Sequence, residues 1–191
     1  MTEISGASEN GVATEGFGSS KVAGTTPGAG LAVFNALPAD QARAALLACC
    51  RADRWAGQLT AGRPYPSLAA LQARAAGALT DEDVAEALAG HPRIGQSPAA
   101  GHSSWSRSEQ FGVADAGDQV KAELAAGNQA YEARFGHIYL VCATGRSAPE
   151  LLSILRGRLA NDPGTERQVV RGELIKINDL RLAKLLGEVT T

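Results

Sequence analysis

The last long stretch of the chain puts an arginine where an apolar residue is expected. Val170, Leu174, Ile177, Arg181 and Leu185 recur every three or four residues, so at about 100° per residue they share one helical stripe. Arg181 stands in the middle of it. A buried guanidinium without a partner costs several kcal/mol, so the position demands an anionic or carbonyl partner. Two readings stay open: an internal ion pair with a buried acid, or a planar donor fork for the carboxylate or imide oxygens of a substrate.

Two further groups could do chemistry. Ser106, Glu109 and Gln110 fall at i, i+3 and i+4, so on a helix they point one way, while Trp105 and Phe111 point elsewhere. Such a face suits either solvent or a ligand with many heteroatoms. His91 follows Gly90, a helix stop, and precedes Pro92, whose ring fixes the backbone. The imidazole is thus held at a loop, and histidine is the usual proton carrier near neutral pH. A loop histidine can equally be structural, which is the reading given to His102 and His137. The histidine spacing matches no HExxH zinc signature, and neither a GxSxG elbow nor a P-loop nor a GxGxxG fingerprint occurs.

Helices must position these groups. Residues 1–30 are rich in Gly, Ser, Thr and Ala without periodicity and read as a disordered tail. Regular structure is expected from Leu31, as one helical domain over 31–188. Ala42, Ala45, Leu46 and Cys49 have helical spacing. Trp55 and Leu59 sit on a second helix, broken by Gly62-Arg63-Pro64-Tyr65-Pro66. Ser67 caps a helix carrying Leu68, Leu71, Ala75 and Leu79. Thr80 caps the next, whose acidic first turn Asp81-Glu82-Asp83 suits the positive end of the helix dipole. A short helix is expected over 104–113, then a longer one capped by Asp118, with Val120, Leu124, Tyr131 and Phe135 on a stripe, stopped by Gly136. The apolar run 137–144 has no second strand to pair with, so it reads as an extended piece threaded through helices. Ser147 and Glu150 form a capping box, Asn161-Asp162-Pro163 ends that helix, and the last one spans about 165–186. The expected fold class is all-α: a compact single-domain bundle of about seven to nine helices with a short extended core segment.

Composition narrows the partners. The chain has 191 residues, 45% of them hydrophobic, and a formal net charge of −2, which gives no general attraction to nucleic acid or anionic membrane. Cys49, Cys50 and Cys142 are an odd set with an adjacent pair, a poor disulfide framework that points to a reducing setting. No apolar run approaches the roughly 18 to 20 residues of a membrane span. The N-terminus lacks the pattern of a signal peptide, and residues 188–191 are no peroxisomal address. A cytoplasmic location is expected.

Read together, five runs look familiar. These are His91-Pro92-Arg93-Ile94-Gly95; Trp105-Ser106-Arg107-Ser108-Glu109-Gln110; Arg134-Phe135-Gly136-His137-Ile138 running on through 139–147; Leu159-Ala160-Asn161-Asp162-Pro163; and Lys176-Ile177-Asn178-Asp179-Leu180-Arg181-Leu182. In order and spacing, from about Leu31 to Gly187, the chain resembles the OHCU decarboxylase family, which acts on 2-oxo-4-hydroxy-4-carboxy-5-ureidoimidazoline (OHCU). The resemblance implies an all-α homodimer that converts OHCU to (S)-allantoin in urate degradation without metal or organic cofactor. It implies that His91 and Glu109 are catalytic and that Pro92, Ser106, Gln110, Phe135, Ile138 and Arg181 bind substrate, with the main chain around 135–138 against the ring. The sequence departs from the family pattern at Arg93, where some members carry Asp, at His137, where many carry an apolar or aromatic residue, and at Asn178-Asp179, where Thr-Arg is frequent. Two alternatives remain: an enzyme for another ureido or imidazoline carboxylate, and a non-catalytic helical module in which His91 and Arg181 are structural.

Overall fold

The structure, a computed structural model, describes residues 29–94 and 117–187. Nearly all of the expected tail therefore lies outside the described residues, as does the helix expected over 104–113. Among the described residues the chain forms eight helices and no strand: α1 (Ala29–Ala36), α2 (Ala39–Cys49), α3 (Asp53–Ala61), α4 (Leu68–Ala78), α5 (Asp81–Ala89), α6 (Asp118–Phe135), α7 (Ala148–Arg158) and α8 (Pro163–Leu185). The all-α expectation holds.

Local chemistry sets most boundaries. Ser67 accepts the Ala70 N–H through its hydroxyl at 3.1 Å and starts α4. At α5 the Thr80 hydroxyl accepts the Asp83 N–H at 3.3 Å, and the Asp83 carboxylate accepts the Thr80 N–H at 2.8 Å, which closes a capping box. Glu150 does the same for α7, accepting the Ser147 N–H at 2.7 Å. Gly136 ends α6 in the left-handed region, φ 76°, where a side chain is disfavoured. Asp118 was expected to cap α6. Gly117 holds the cap position instead, and Asp118 is the first helical residue, where its charge still suits the dipole. Asp162 has a role beyond ending α7: its carboxylate accepts the Gly164 and Thr165 N–H groups at 2.9 and 3.0 Å and starts α8, with Pro163 in the first turn. Helix α1 was not foreseen as a separate element. It packs on the end of α8 so closely that a Cβ on Gly30 would lie 1.8 Å from the Leu186 carbonyl oxygen.

Thr80→Ala deletes the cap of α5, the helix that ends just before His91. It should cost about 1 kcal/mol and lower Tm by about 2–4 °C in a chain of this size, which differential scanning calorimetry would read.

Packing divides the interior into two apolar clusters. One joins α1 to α5 to a face of α8 and includes Phe34, Leu46, Trp55, Leu71 and Leu174. The other lies between α6 and α7 and includes Leu124, Tyr131, Leu151 and Leu155. The expected extended segment runs between them. Leu140 and Cys142 enter the first cluster, whereas Tyr139, Val141 and Ala143 enter the second. This is the period-two alternation of a strand, with a helical layer taking each face.

Candidate active site

His91 stands two residues past the end of α5, and two bonds fix it there. Its N–H donates to the Leu88 carbonyl oxygen at 3.2 Å. Its ring Nδ1 lies 2.8 Å from the Ala87 carbonyl oxygen. A carbonyl only accepts, so Nδ1 carries the proton, and in the neutral ring Nε2 is the nitrogen able to take one. Pro92 stiffens the next step. Arg93 then ties the loop to α6 through a two-pronged bridge to Glu132, at 2.6 and 2.8 Å. An Asp at position 93 would face the Glu132 carboxylate, so the arginine suits its local surroundings.

Arg181 is 4% exposed, as its place on the apolar stripe requires. Its Nη1 donates to the Cys49 carbonyl oxygen at 2.8 Å. That oxygen belongs to the last turn of α2, the negative end of the helix dipole, so a carbonyl supplies a partner of the kind the sequence demanded. Cys50 is buried beside it. Burial pushes its thiol up to about 11, against the opposing effects of an Asn178 hydrogen bond and the Arg181 charge, so the thiol is neutral at ordinary pH.

One cleft brings these residues together. His91, Pro92 and Ile94 form one part of its lining, the extended segment 139–144 a second, and Ile177, Leu180 and Arg181 a third. Phe135 and Ile138 are placed differently. They line a second cavity, together with Arg93, Glu132, His137 and Val170. Ser106, Glu109 and Gln110 lie outside the described residues. His137 stacks on Phe135 with ring centroids 6.2 Å apart, which is a packing role. No group of three or more His, Cys, Asp or Glu side chains among the described residues could hold a metal ion.

Some determinants of the site escaped the sequence reading. The extended segment has no partner strand, yet its buried polar groups need partners. Charged side chains supply them. Arg158, 6% exposed, donates through Nη1 to the Leu140 carbonyl oxygen at 2.6 Å. Glu173, 8% exposed, accepts the Cys142 N–H at 2.8 Å. Arg146 Nε donates to the Cys142 carbonyl oxygen at 3.1 Å. Arg158 is in turn held by Glu166, fully buried, whose Oε1 accepts its Nε at 2.8 Å and also accepts the Tyr131 hydroxyl. Burial pushes the Glu173 carboxyl up. Hydrogen bonds from Lys176 and the Cys142 amide outweigh that and hold it below the usual carboxylate range. A signal for Arg158 was present: Leu151, Leu155 and Arg158 fall at i, i+4 and i+7, the pattern that drew attention to Arg181.

A family model of OHCU decarboxylase matches residues 35–183. The chain belongs to the OHCU decarboxylase family. It is 32% identical over 148 residues to the uric acid degradation bifunctional protein TTL of Arabidopsis thaliana, a match covering 73% of this chain and 46% of that protein. It is 38% identical over 72 residues to a 2-oxo-4-hydroxy-4-carboxy-5-ureidoimidazoline decarboxylase of Amia calva, covering 38% of this chain and 40% of that one. The matches thus span less than half the length of these relatives. Among solved structures, one of OHCU decarboxylase in the presence of (S)-allantoin is similar with a TM-score of 0.65 at 30% identity, over 74% of this chain and 96% of that one. A structure of (S)-allantoin synthase is similar in fold, with a TM-score of 0.61 at 16% identity, over 81% of this chain and 53% of that one.

Proposed function

We propose that this member of the OHCU decarboxylase family decarboxylates OHCU to (S)-allantoin. The observation that carries the reading is that His91 and Arg181, ninety residues apart in sequence, line one cleft together with the extended segment. OHCU bears a carboxylate and a hydroxyl on ring carbon 4, next to carbon 5, which carries the ureido arm and is double-bonded to a ring nitrogen. When carbon dioxide leaves, the bonding pair forms a double bond between carbons 4 and 5, and the C=N pair passes to the ring nitrogen, which takes a proton. The hydroxyl on carbon 4 then gives up its proton to become the carbonyl of allantoin as carbon 5 is protonated on one face. The substrate supplies its own electron sink. In this reading Arg181 stabilises the oxygen charge that grows in the transition state, and His91 Nε2 moves the proton at the hydroxyl or carboxyl end. Glu109 holds the hydroxyl, and Ser106 and Gln110 bind the polar rim. Pro92 contributes to ring binding from within the cleft, and the resemblance adds the main chain around Phe135 and Ile138, whose residues line the second cavity. The active form is read as a homodimer in the cytoplasm, and light scattering of the purified chain tests the first of these.

The test of function is circular dichroism of allantoin formed from OHCU, itself generated in place by urate oxidase and hydroxyisourate hydrolase. The expected result is a rapid rise of the (S)-allantoin signal. Slow, racemic product in the presence of folded protein would overturn the reading. Arg181→Met keeps the volume and removes the donors. It should reduce kcat by about 10²- to 10³-fold, the usual effect of losing one donor to a developing oxyanion, and a loss below threefold would assign that charge to another group.

A further inference from the structure

In an extended chain, successive residues turn their main-chain N–H and C=O groups to opposite edges. Arg158 and Glu173 take the Leu140 carbonyl and the Cys142 amide, which belong to one edge. Arg146 takes the Cys142 carbonyl on that same edge. Val141 therefore turns its N–H and C=O to the other edge. Val141 is 4% exposed, lines the cleft, and makes no main-chain hydrogen bond among the described residues. A buried donor and acceptor side by side match the alternating N–H and C=O groups of an imidazolinone ring or a ureido arm.

We propose that Glu173, acting with Arg158, is a positioning residue of the reaction: by holding the Leu140–Cys142 edge, the two side chains present the Val141 edge to the substrate. The inference rests on the cleft being the OHCU site. Glu173 is itself fixed, because Lys176 Nζ donates to its Oε1 at 2.6 Å from the solvent side. Its two oxygens therefore have separate tasks, one toward Lys176 and one toward Cys142. The clamp comes from α7 and α8, and α8 also carries Arg181. The register between the ring-binding edge and the arginine is thus set within one helix, over the two turns from Glu173 to Arg181.

The test compares Glu173→Gln and Glu173→Asp in the full chain, with kcat and KM measured on OHCU well below Tm and folding checked by far-ultraviolet circular dichroism. Gln keeps an acceptor at the same reach and should retain kcat within about threefold of the parent. Asp keeps the charge but draws the oxygen back by one methylene. A misplacement of about 1 Å near reacting groups can cost on the order of 10²-fold, so folded Glu173→Asp should lose at least tenfold in kcat. Folded Glu173→Asp with parental kcat and KM would overturn the proposal, as would equal losses in both variants. If Glu173→Asp does not fold, Lys176→Met serves, because Lys176 is largely exposed and its removal frees only the outer oxygen. A kcat reduced at least threefold at parental Tm supports the clamp, and an unchanged kcat overturns it. An inactive parent chain would instead fail the functional reading and is seen before any variant is made.

Discussion

His91→Asn should reduce turnover of OHCU by about 10²- to 10⁴-fold, the range that general acid–base help supplies, with far-ultraviolet dichroism and Tm close to the parent. Asparagine is chosen for its geometry. Its side-chain amide can reach the Ala87 carbonyl oxygen that Nδ1 now contacts at 2.8 Å, so the loop keeps its anchor. What it lacks is a nitrogen that takes and returns a proton at the position of Nε2. His91→Ala removes both functions and should match His91→Asn in turnover while losing slightly more stability. Progress curves with in-place OHCU, read by circular dichroism, give the rates. Turnover within a few-fold of the parent in folded His91→Asn would move the proton step to another residue of the cleft.

How much of this could be read from the sequence depended on whether the cause was local. Caps are local, so Ser67, Thr80, Ser147 with Glu150, and Gly136 were legible within a few residues of the helices they bound. Gly117 displaced the expected Asp118 because an extended residue of either type can precede the first turn. Arg181 was legible because its stripe is a property of one helix. The cleft was legible only through resemblance, since His91 and Arg181 meet through packing of α5, α8 and the extended segment. The segment itself was recognised as strand-like without a strand partner. The solution was not legible: its partners, Arg158 and Glu173, lie 18 and 31 residues from the groups they hold, and no local pattern links an arginine to a distant carbonyl. Phe135 and Ile138 illustrate the limit from the other side. They flank Gly136, where the left-handed turn ends the helical phase, and both line the cavity beside the cleft.

Glu166→Ala should be the most destabilising single change on this network, at about 3–5 kcal/mol, the cost of breaking a buried pair from one side. Glu166 is fully buried and gathers three donors: the Arg158 guanidinium, the Tyr131 hydroxyl, and Asn161 Nδ2 at 2.7 Å. Its removal strands a guanidinium packed over the Tyr139 ring, 4.8 Å from the centroid, where water has little access. Tm should fall by about 6–20 °C, at about 2–4 °C per kcal/mol for a chain of this size. The double variant Arg158→Met with Glu166→Leu separates stability from positioning. With both charges gone, the larger desolvation cost disappears, and apolar replacement of a whole buried pair is often neutral or better. The Tyr131 and Asn161 groups still lose a partner, so about half of the lost stability should return. Turnover should not return with it, because the Leu140 carbonyl has lost its donor and the Val141 edge is no longer held. Thermal denaturation of the two variants checks the first part and kcat of the folded double variant the second. A single variant that melts with the parent would remove Glu166 from the interior framework, and a double variant with parental kcat would show that the segment holds its place without the clamp.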